Sequence, residues 1–348
     1  MQEDFFEKPR SETFSVGDFC PQDAEGIADL FRAVYGESYP IRLFYHPKEI
    51  IAANQDGRYT SFVVRTPENR VIGATHLFPS APYHGLYEHG VSLVHPDHRK
   101  SNAFRELCAY AVDNYIPRHS VVEVLWGESV CNHLISQKMA HVFKTIETAL
   151  EIALMPAESY KHEKSSAGRV AALNSFRSYV SRPHQIFIPE VYENILKRIY
   201  DRLDDRREFA VAGEGLPTDL QTQIQMSVFE SAGVARMTIP QSGADLDFIV
   251  AEQEQQARKQ NAVVFQIRLN LSQPSVGQTV DILRHHGYFF GGVLPRWFDS
   301  DGLLLQKLEC PPDFDGILLW SDFAKELLEF IRKDREDCGI LSGSLKQN

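Results

Sequence analysis

At 348 residues, with 43% hydrophobic and 24% charged content, the chain has ordinary globular composition and is long enough for two well-packed cores. A formal charge of −11 disfavours nucleic acid as the main partner, and no apolar run approaches the roughly 18 residues that a membrane span requires. The five cysteines (Cys20, Cys108, Cys131, Cys310, Cys338) form no CxxC pair, which argues against a disulfide scaffold or a zinc site; with an acidic N-terminus lacking a signal-peptide pattern, this fits a reducing cytoplasm.

In chain order, 13–17 predicts a short strand. Ile27, Leu30, Phe31 and Val34 lie on one helical face and predict a helix over 21–34. A second helix is expected at 47–54. Strands at 59–65 and 71–78 flank Pro67-Glu68-Asn69, which reads as a hairpin. A strand at 87–94 and a helix at 102–115 come next, then a strand at 121–126, a helix at 131–141 and a strand at 149–154 closed by Pro156. Residues 161–168 read as a linker, and Val191, Ile195, Ile199 and Leu203 mark a helix within 189–203. Residues 204–208 read as a solvated charge cluster. From 222 onward the pattern resumes: a hairpin of 224–229 and 234–239, helices at 245–259 and 276–285, and strands at 263–269, 288–294 and 303–308.

The most informative stretch is 91–107. Val91, Leu93 and Val94 end a strand, Pro96 stops it for want of an N–H, and Arg99, Lys100, Ser101 and Asn102 lead into a helix carrying Ala103, Leu107 and Ala111. Such a turn aims backbone N–H groups and a helix dipole at one spot, which suits a phosphate or pyrophosphate. The same strand-turn-helix order with a basic turn also occurs in α/β proteins that bind no phosphate.

Val94-His95-Pro96-Asp97-His98-Arg99 resembles the acyl-CoA motif of the GNAT superfamily of N-acetyltransferases, in which Val-x-Pro-x-x-Arg runs into Arg/Gln-x-x-Gly-x-Gly/Ala. The element order over 13–156 is similar to that superfamily's. The resemblance implies an α/β fold with a mixed, mostly antiparallel sheet flanked by helices, and acetyl-CoA held at Leu93, Val94, Arg99, Lys100, Ser101, Asn102, Ala103 and Phe104. Asn102 and Phe104 replace two small residues of the motif; Asn is the non-glycine residue that best tolerates positive φ. Ser136-Gln137-Lys138, and 35–40 with Tyr45-His46-Pro47, resemble one branch of the superfamily.

Acetyl transfer requires a neutral amine and a polarised thioester. The resemblance implies a carbonyl-holding backbone N–H at Leu93 or Val94 and a general base nearby on the strand. Glu88 is the first candidate and His89 the second, both expected to line one cleft. Strand alternation places Glu88 with Gly90 and Ser92, opposite Val91 and Leu93. The family's acid Tyr has no counterpart on 131–141, where His133, Ser136 and Lys138 stand instead. Asp299 and Asp301 read either as an amine site or as a polar turn. His285-His286 has no partner at metal-ligand spacing, so no metal is assigned.

The strand-helix-strand block 121–156 is followed at nearly equal length by 263–295, and both end at proline. Tandem GNAT-like domains are therefore expected: 1–160 with the acyl-CoA motif, 161–215 as linker and helical connection, and 216–348 as a degenerate copy with a C-terminal helix. An unrelated α/β domain is the alternative for the second half. The function expected is a cytoplasmic N-acetyltransferase moving acetyl from acetyl-CoA to a small-molecule or peptide amine, with a homodimer allowed and neither nucleic acid nor membrane as partner. The rival is a non-catalytic GNAT-like module that binds a ligand or protein.

Overall fold

A computed structural model describes residues 11–37, 39–157 and 168–344, and the described residues form two compact units: those up to 80 with 84–127, and 81–83 with those from 128 on. The expected linker at 161–168 lies, apart from Gly168, outside the described residues.

In the first unit, β1 (Ser15–Asp18) precedes α1 (Ala24–Tyr35) and α2 (Pro47–Gln55), followed by β2 (Thr60–Arg65), β3 (Val71–Pro79), β4 (Leu86–Val94), α3 (Ala103–Ala109) and the start of β5 (Val124–Val130). Strands β1 to β4 pair antiparallel in sequence order, and β5 joins β4 in parallel. The apolar stripe of α1 (Ile27, Ala28, Leu30, Phe31) is buried against Val63, Ala74 and Leu93 of the sheet. Asn69 turns the β2–β3 hairpin with φ of 62°. α3 runs on as a π-helical turn, Tyr110–Tyr115.

The second unit holds α4 (Ile135–Val142), β6 (Ile146–Met155), β7 (Val170–Ser178), β8 (His184–Ile188), α5 (Glu193–Tyr200), β9 (Arg207–Val211), β10 (Gln223–Phe229) and β11 (Val234–Gln241). After them come α6 (Leu246–Lys259), β12 (Val264–Asn270), α7 (Val276–His285), β13 (Phe289–Leu294), β14 (Gly302–Leu308) and α8 (Asp322–Ser344). Its mixed sheet runs β7-β6-β13-β14-β12-β11-β10, and β8 pairs β9 in a separate parallel ribbon. Gly292, at φ of 131°, joins β13 to Ala149 of β6; a Cβ there would lie 2.3 Å from the Ala149 Cα. The order antiparallel pair, helix, parallel return occurs twice, as β3-β4-α3-β5 and β10-β11-α6-β12, and each is followed by a helix and an antiparallel pair.

Three expectations are corrected. β5 begins at Val124 and α4 at Ile135, each later than the residue patterns suggest. The stretch 161–215, expected as linker and helical connection, also supplies a sheet strand: β7 pairs with β6 over most of its length, because its apolar residues Val170, Ala171, Ala172 and Leu173 are core. The charge cluster at 204–208 is solvated at Asp204, Arg206 and Glu208 but not at Asp205 and Arg207. Arg207 and Asp205 side chains are 1% and 2% exposed, and Arg207 donates from Nε to the fully buried Asp301 at 2.9 Å. The Arg207 charge is paired with Asp205 and, across the chain, with Asp301, and needs no water.

Candidate functional site

The geometry of the site starts from one residue. Val91 has φ of 53°, a conformation rare for a β-branched residue, and the β3–β4 register slips there: Ala74 faces Leu93 while His76 faces Gly90. The extra residue reverses the alternation of the strand. Glu88 and Gly90 therefore share a face with Leu93, and His89 shares the opposite face with Ser92. Hydrogen bonds fix this: Thr75 Oγ1 lies 2.8 Å from His89 Nε2 and also meets Ser92 Oγ. The expectation that Glu88 lies beside Ser92 and opposite Leu93 is overturned by the bulge. The expectation that Glu88 and His89 line one cleft also fails, because they are consecutive strand residues and project from opposite faces whatever the bulge does.

On the Glu88 face stands a wall of aromatic rings. Tyr59 is 4.9 Å from Phe78 and 5.3 Å from Phe44, and Phe44 is 4.6 Å from the His76 ring. Burial, and then the negative charge of Glu88, raise the Tyr59 hydroxyl above its ordinary range. His76 is fully buried with Nδ1 at 2.7 Å from Ser61 Oγ, and burial, then His89, push it down to about 3. Burial likewise pushes His89 down to about 4. Both rings are neutral at physiological pH. Sequence reasoning missed Thr75, His76, Tyr59 and Phe78; only the register across β3 and β4 connects them to Glu88.

The ladder between β4 and β5 covers Leu86↔Val124, Tyr87↔Leu125 and Glu88↔Trp126 and then ends. β4 thereafter keeps its β3 partner on one edge up to Gly73↔Val94. Leu93 and Val94 are buried at 5% and 6% exposure. The strand stops before Pro96, where His95 N–H donates to Ile72 C=O at 2.8 Å. The turn is then built from its own side chains: Ser101 Oγ donates to His98 C=O at 2.7 Å and accepts from Ala103 N–H at 3.1 Å. Asn102 opens α3 with φ of −77°, so the turn needs no left-handed residue and the tolerance of Asn for positive φ is not used. Arg99, Lys100 and Asn102 are exposed, Ala103 is fully buried and Phe104 is half-buried. Partial burial and then Arg70, 3.3 Å from Nε2, hold His95 below the ordinary histidine range.

The remaining candidates stand elsewhere. His133 lies in the second unit on the turn before α4, its carbonyl accepting from Gln137 Nε2 at 3.2 Å. Asp301 is no open amine site, being enclosed by Arg207, by His184 at 3.2 Å and by the Arg296 N–H at 2.8 Å. Asp299 is exposed and pairs with Arg296 at 3.1 Å. His286 pairs with Asp247 at 2.6 Å. No described helix is long and apolar enough to cross a membrane.

No family model matches the chain, and no curated protein matches it. Solved structures do, over about half of its length, and acetyltransferases are among them. The ribosomal-protein-S5-alanine acetyltransferase of Vibrio fischeri is 12% identical, with a TM-score of 0.39, covering 49% of this chain and 94% of that one. The yncA structure of Salmonella typhimurium, which holds its cofactor acetyl-CoA, is 15% identical with a TM-score of 0.40, covering 49% and 96%. The ribosomal-protein-S18-alanine N-acetyltransferase of Escherichia coli is 15% identical with a TM-score of 0.38, covering 49% and 96%. The functional reading rests on the geometry of β4 and its turn.

Proposed function

We propose that this protein is an acyl-CoA-dependent N-acetyltransferase of GNAT type, transferring acetyl from acetyl-CoA directly to an amine. One observation carries the reading: β4 bulges at Val91, leaves β5 after Glu88, and ends at Pro96 in a basic turn that opens α3. A strand freed from one neighbour offers backbone groups to an extended ligand, and the turn below offers amides and cations to its phosphates.

The residues fit that ligand. The amides of residues 99–104, with Arg99 and Lys100, would hold the pyrophosphate; the buried Ala103 keeps side-chain bulk away from the helix start. The Leu93 and Val94 backbone would hold the thioester carbonyl. Glu88 takes the proton from the amine, whose nitrogen then attacks the acyl carbon. The C–N bond forms, the C–S bond breaks, and CoA leaves as thiolate without a general acid. His89, tied to Thr75 on the other face, supports the strand and does not meet the amine.

The second half is proposed to be a degenerate copy. β11 and β12, which stand where β4 and β5 stand in the repeated order, pair in parallel without a break from Val234↔Val264 to Ile239↔Leu269. No residue of β11 has positive φ. A closed ladder leaves no gap for pantetheine. In this tandem scheme β7 belongs with the first copy, and the connection begins after Ser178.

The test is release of CoA thiol from acetyl-CoA across a panel of primary amines. Glu88→Gln keeps shape and removes the proton acceptor, so kcat should fall about tenfold or more at neutral pH with CoA affinity little changed. Unchanged kcat removes Glu88 from the chemistry. CoA binding without turnover on any amine favours the non-catalytic module, for which half-buried Phe104 at a small-residue position of the motif speaks.

A further inference from the structure

The second unit contains a second concentration of polar side chains, remote in sequence from the turn after β4. Glu128 lies on the last part of β5, Glu151 on β6, Asn174 on β7, Arg236 on β11, and Gln266 and Arg268 on β12. Arg236 Nη2 stands 3.0 Å from Glu128 Oε1 and 3.1 Å from Glu151 Oε2, so one nitrogen serves two carboxyl groups. Arg236 Nε donates to Gln266 Oε1 at 2.8 Å. Arg268 is 3.8 Å from Glu151 Oε1, beyond hydrogen-bond distance.

Several atoms here are buried without a hydrogen-bond partner: Glu151 Oε1, the Gln266 Nε2 amide nitrogen, and both Oδ1 and Nδ2 of Asn174. All three residues have 0% exposure. The β6–β7 register pairs Glu151 with Ala172 and Ala149 with Asn174, so Asn174 and Glu151 project from one face as diagonal neighbours. A buried amide with nothing bonded, as at Asn174, costs about 1–3 kcal/mol, and a native fold that keeps one calls for an explanation. Solvent touches the edge of the group at Glu128 and Arg236, whose side chains are 24% and 20% exposed.

We propose that Glu128, Glu151 and Asn174 form a binding site for a primary ammonium group, framed by Arg236, Arg268 and Gln266. An ammonium carries three N–H donors, and the two carboxyls with the Asn174 amide oxygen are three acceptors on one face. The charge inventory agrees. Two carboxylates and two guanidiniums balance, and the empty site keeps an extra proton: burial, with the Glu128 carboxyl beside it, raises Glu151 to about 7 against the pull of Arg236 and Arg268. The ammonium replaces that proton. Binding therefore releases a proton below pH 7 and tightens as pH rises through 7. The site is independent of the acyl-CoA reading, because none of its residues belongs to β4 or the turn after it.

The experiment uses the full chain, with n-butylamine as probe. Titration calorimetry near pH 6.5 in buffers of different ionisation enthalpy should show binding with release of about one proton. The affinity should rise at pH 8. Glu151→Gln and Asn174→Leu should each weaken binding at least tenfold, while the CoA affinity of both variants matches wild type. Absence of wild-type binding, or equal binding by both variants, overturns the proposal. Loss of CoA affinity in wild type would fail the acyl-CoA reading and leave this site standing. Carbon-13 titration of δ-labelled glutamate gives a second readout: one carboxyl should titrate near 7 and move down in Glu128→Gln. Should every carboxyl titrate below about 5.5, the shared proton and the proposal are lost together.

Discussion

Ser92 hydrogen-bonds Thr75 across the β3–β4 ladder, on the face of β4 that also carries His89. A regular strand would set Ser92 on the Glu88 face instead. The bulge at Val91 thus decides which side chains Glu88 meets: Gly90, Phe78 and the Tyr59 wall, and not the hydroxyl pair.

Thr75→Val removes both hydrogen bonds while preserving shape. His89 Nε2 and Ser92 Oγ then lose a partner in a largely dry setting. The expected cost is about 1–2 kcal/mol by urea unfolding, with Thr75→Ser retaining most of the wild-type stability. A Thr75→Val protein as stable as wild type would show that these contacts do not hold the bulge.

Acid should destabilise the first unit through His76 and His89. Their folded values, about 3 and about 4, lie below the unfolded value near 6.5. The stability they contribute is present above that unfolded value and is lost as pH falls toward 4, because only the unfolded chain takes up the protons. Each contributes a slope of roughly 1.4 kcal/mol per pH unit in that window. Glu151, raised in the fold, acts in the opposite sense, its contribution being lost as pH rises from the ordinary glutamate value through about 7. The prediction is therefore read as a difference: between pH 7 and 5 wild type should lose roughly 4 kcal/mol more than His76→Asn/His89→Gln. Parallel pH profiles of the two proteins would contradict it.

Arg207→Met should leave Asp301 buried without its main cation, at a cost of about 3–5 kcal/mol. Burial works to raise the Asp301 carboxyl, but Arg207 and His184 outweigh it and hold it well below the ordinary range. In Arg207→Met that support is removed, so the deficit should shrink as pH falls and Asp301 protonates. Adding Asp301→Asn should restore part of the loss at pH 7. A single variant within 1 kcal/mol of wild type, as an order-of-magnitude bound on a surface effect, would make the pair a surface-like contact despite its burial.

The elements with local signals were legible. The stripe of α1, the Pro67-Glu68-Asn69 hairpin, the Pro96 stop and the bounds of α7 all follow from residue periodicity and backbone chemistry. What escaped were features set by distant partners. Arg207 reads as a solvated charge until Asp301, 94 residues on, is beside it. The β7 strand opens on an apolar run, Val170 to Leu173, but Asn174 and Ser175 interrupt it, and their burial depends on the partner strand β6. The bulge carries no glycine: Val91 is a strand former in a conformation it disfavours, and register alone reveals it. For the same reason the neighbours of Glu88 on its face were not legible, whereas its placement opposite His89 follows from strand alternation alone. The Glu128, Glu151 and Asn174 cluster draws on three strands and has no sequence motif at all.

The measurement closest to the central claim is calorimetric titration of the full chain with acetyl-CoA and CoA, beside Arg99→Ala/Lys100→Ala. Both side chains are exposed, so the double variant should fold as wild type does. The account predicts one-site binding by wild type that weakens with salt, and at least a tenfold loss in the variant. At a ligand concentration a hundred times the wild-type Kd, the same binding should stabilise the fold by about 2.7 kcal/mol. No heat of binding at millimolar CoA, or equal affinity in the variant, would contradict the assignment of the turn after β4 as an acyl-CoA site.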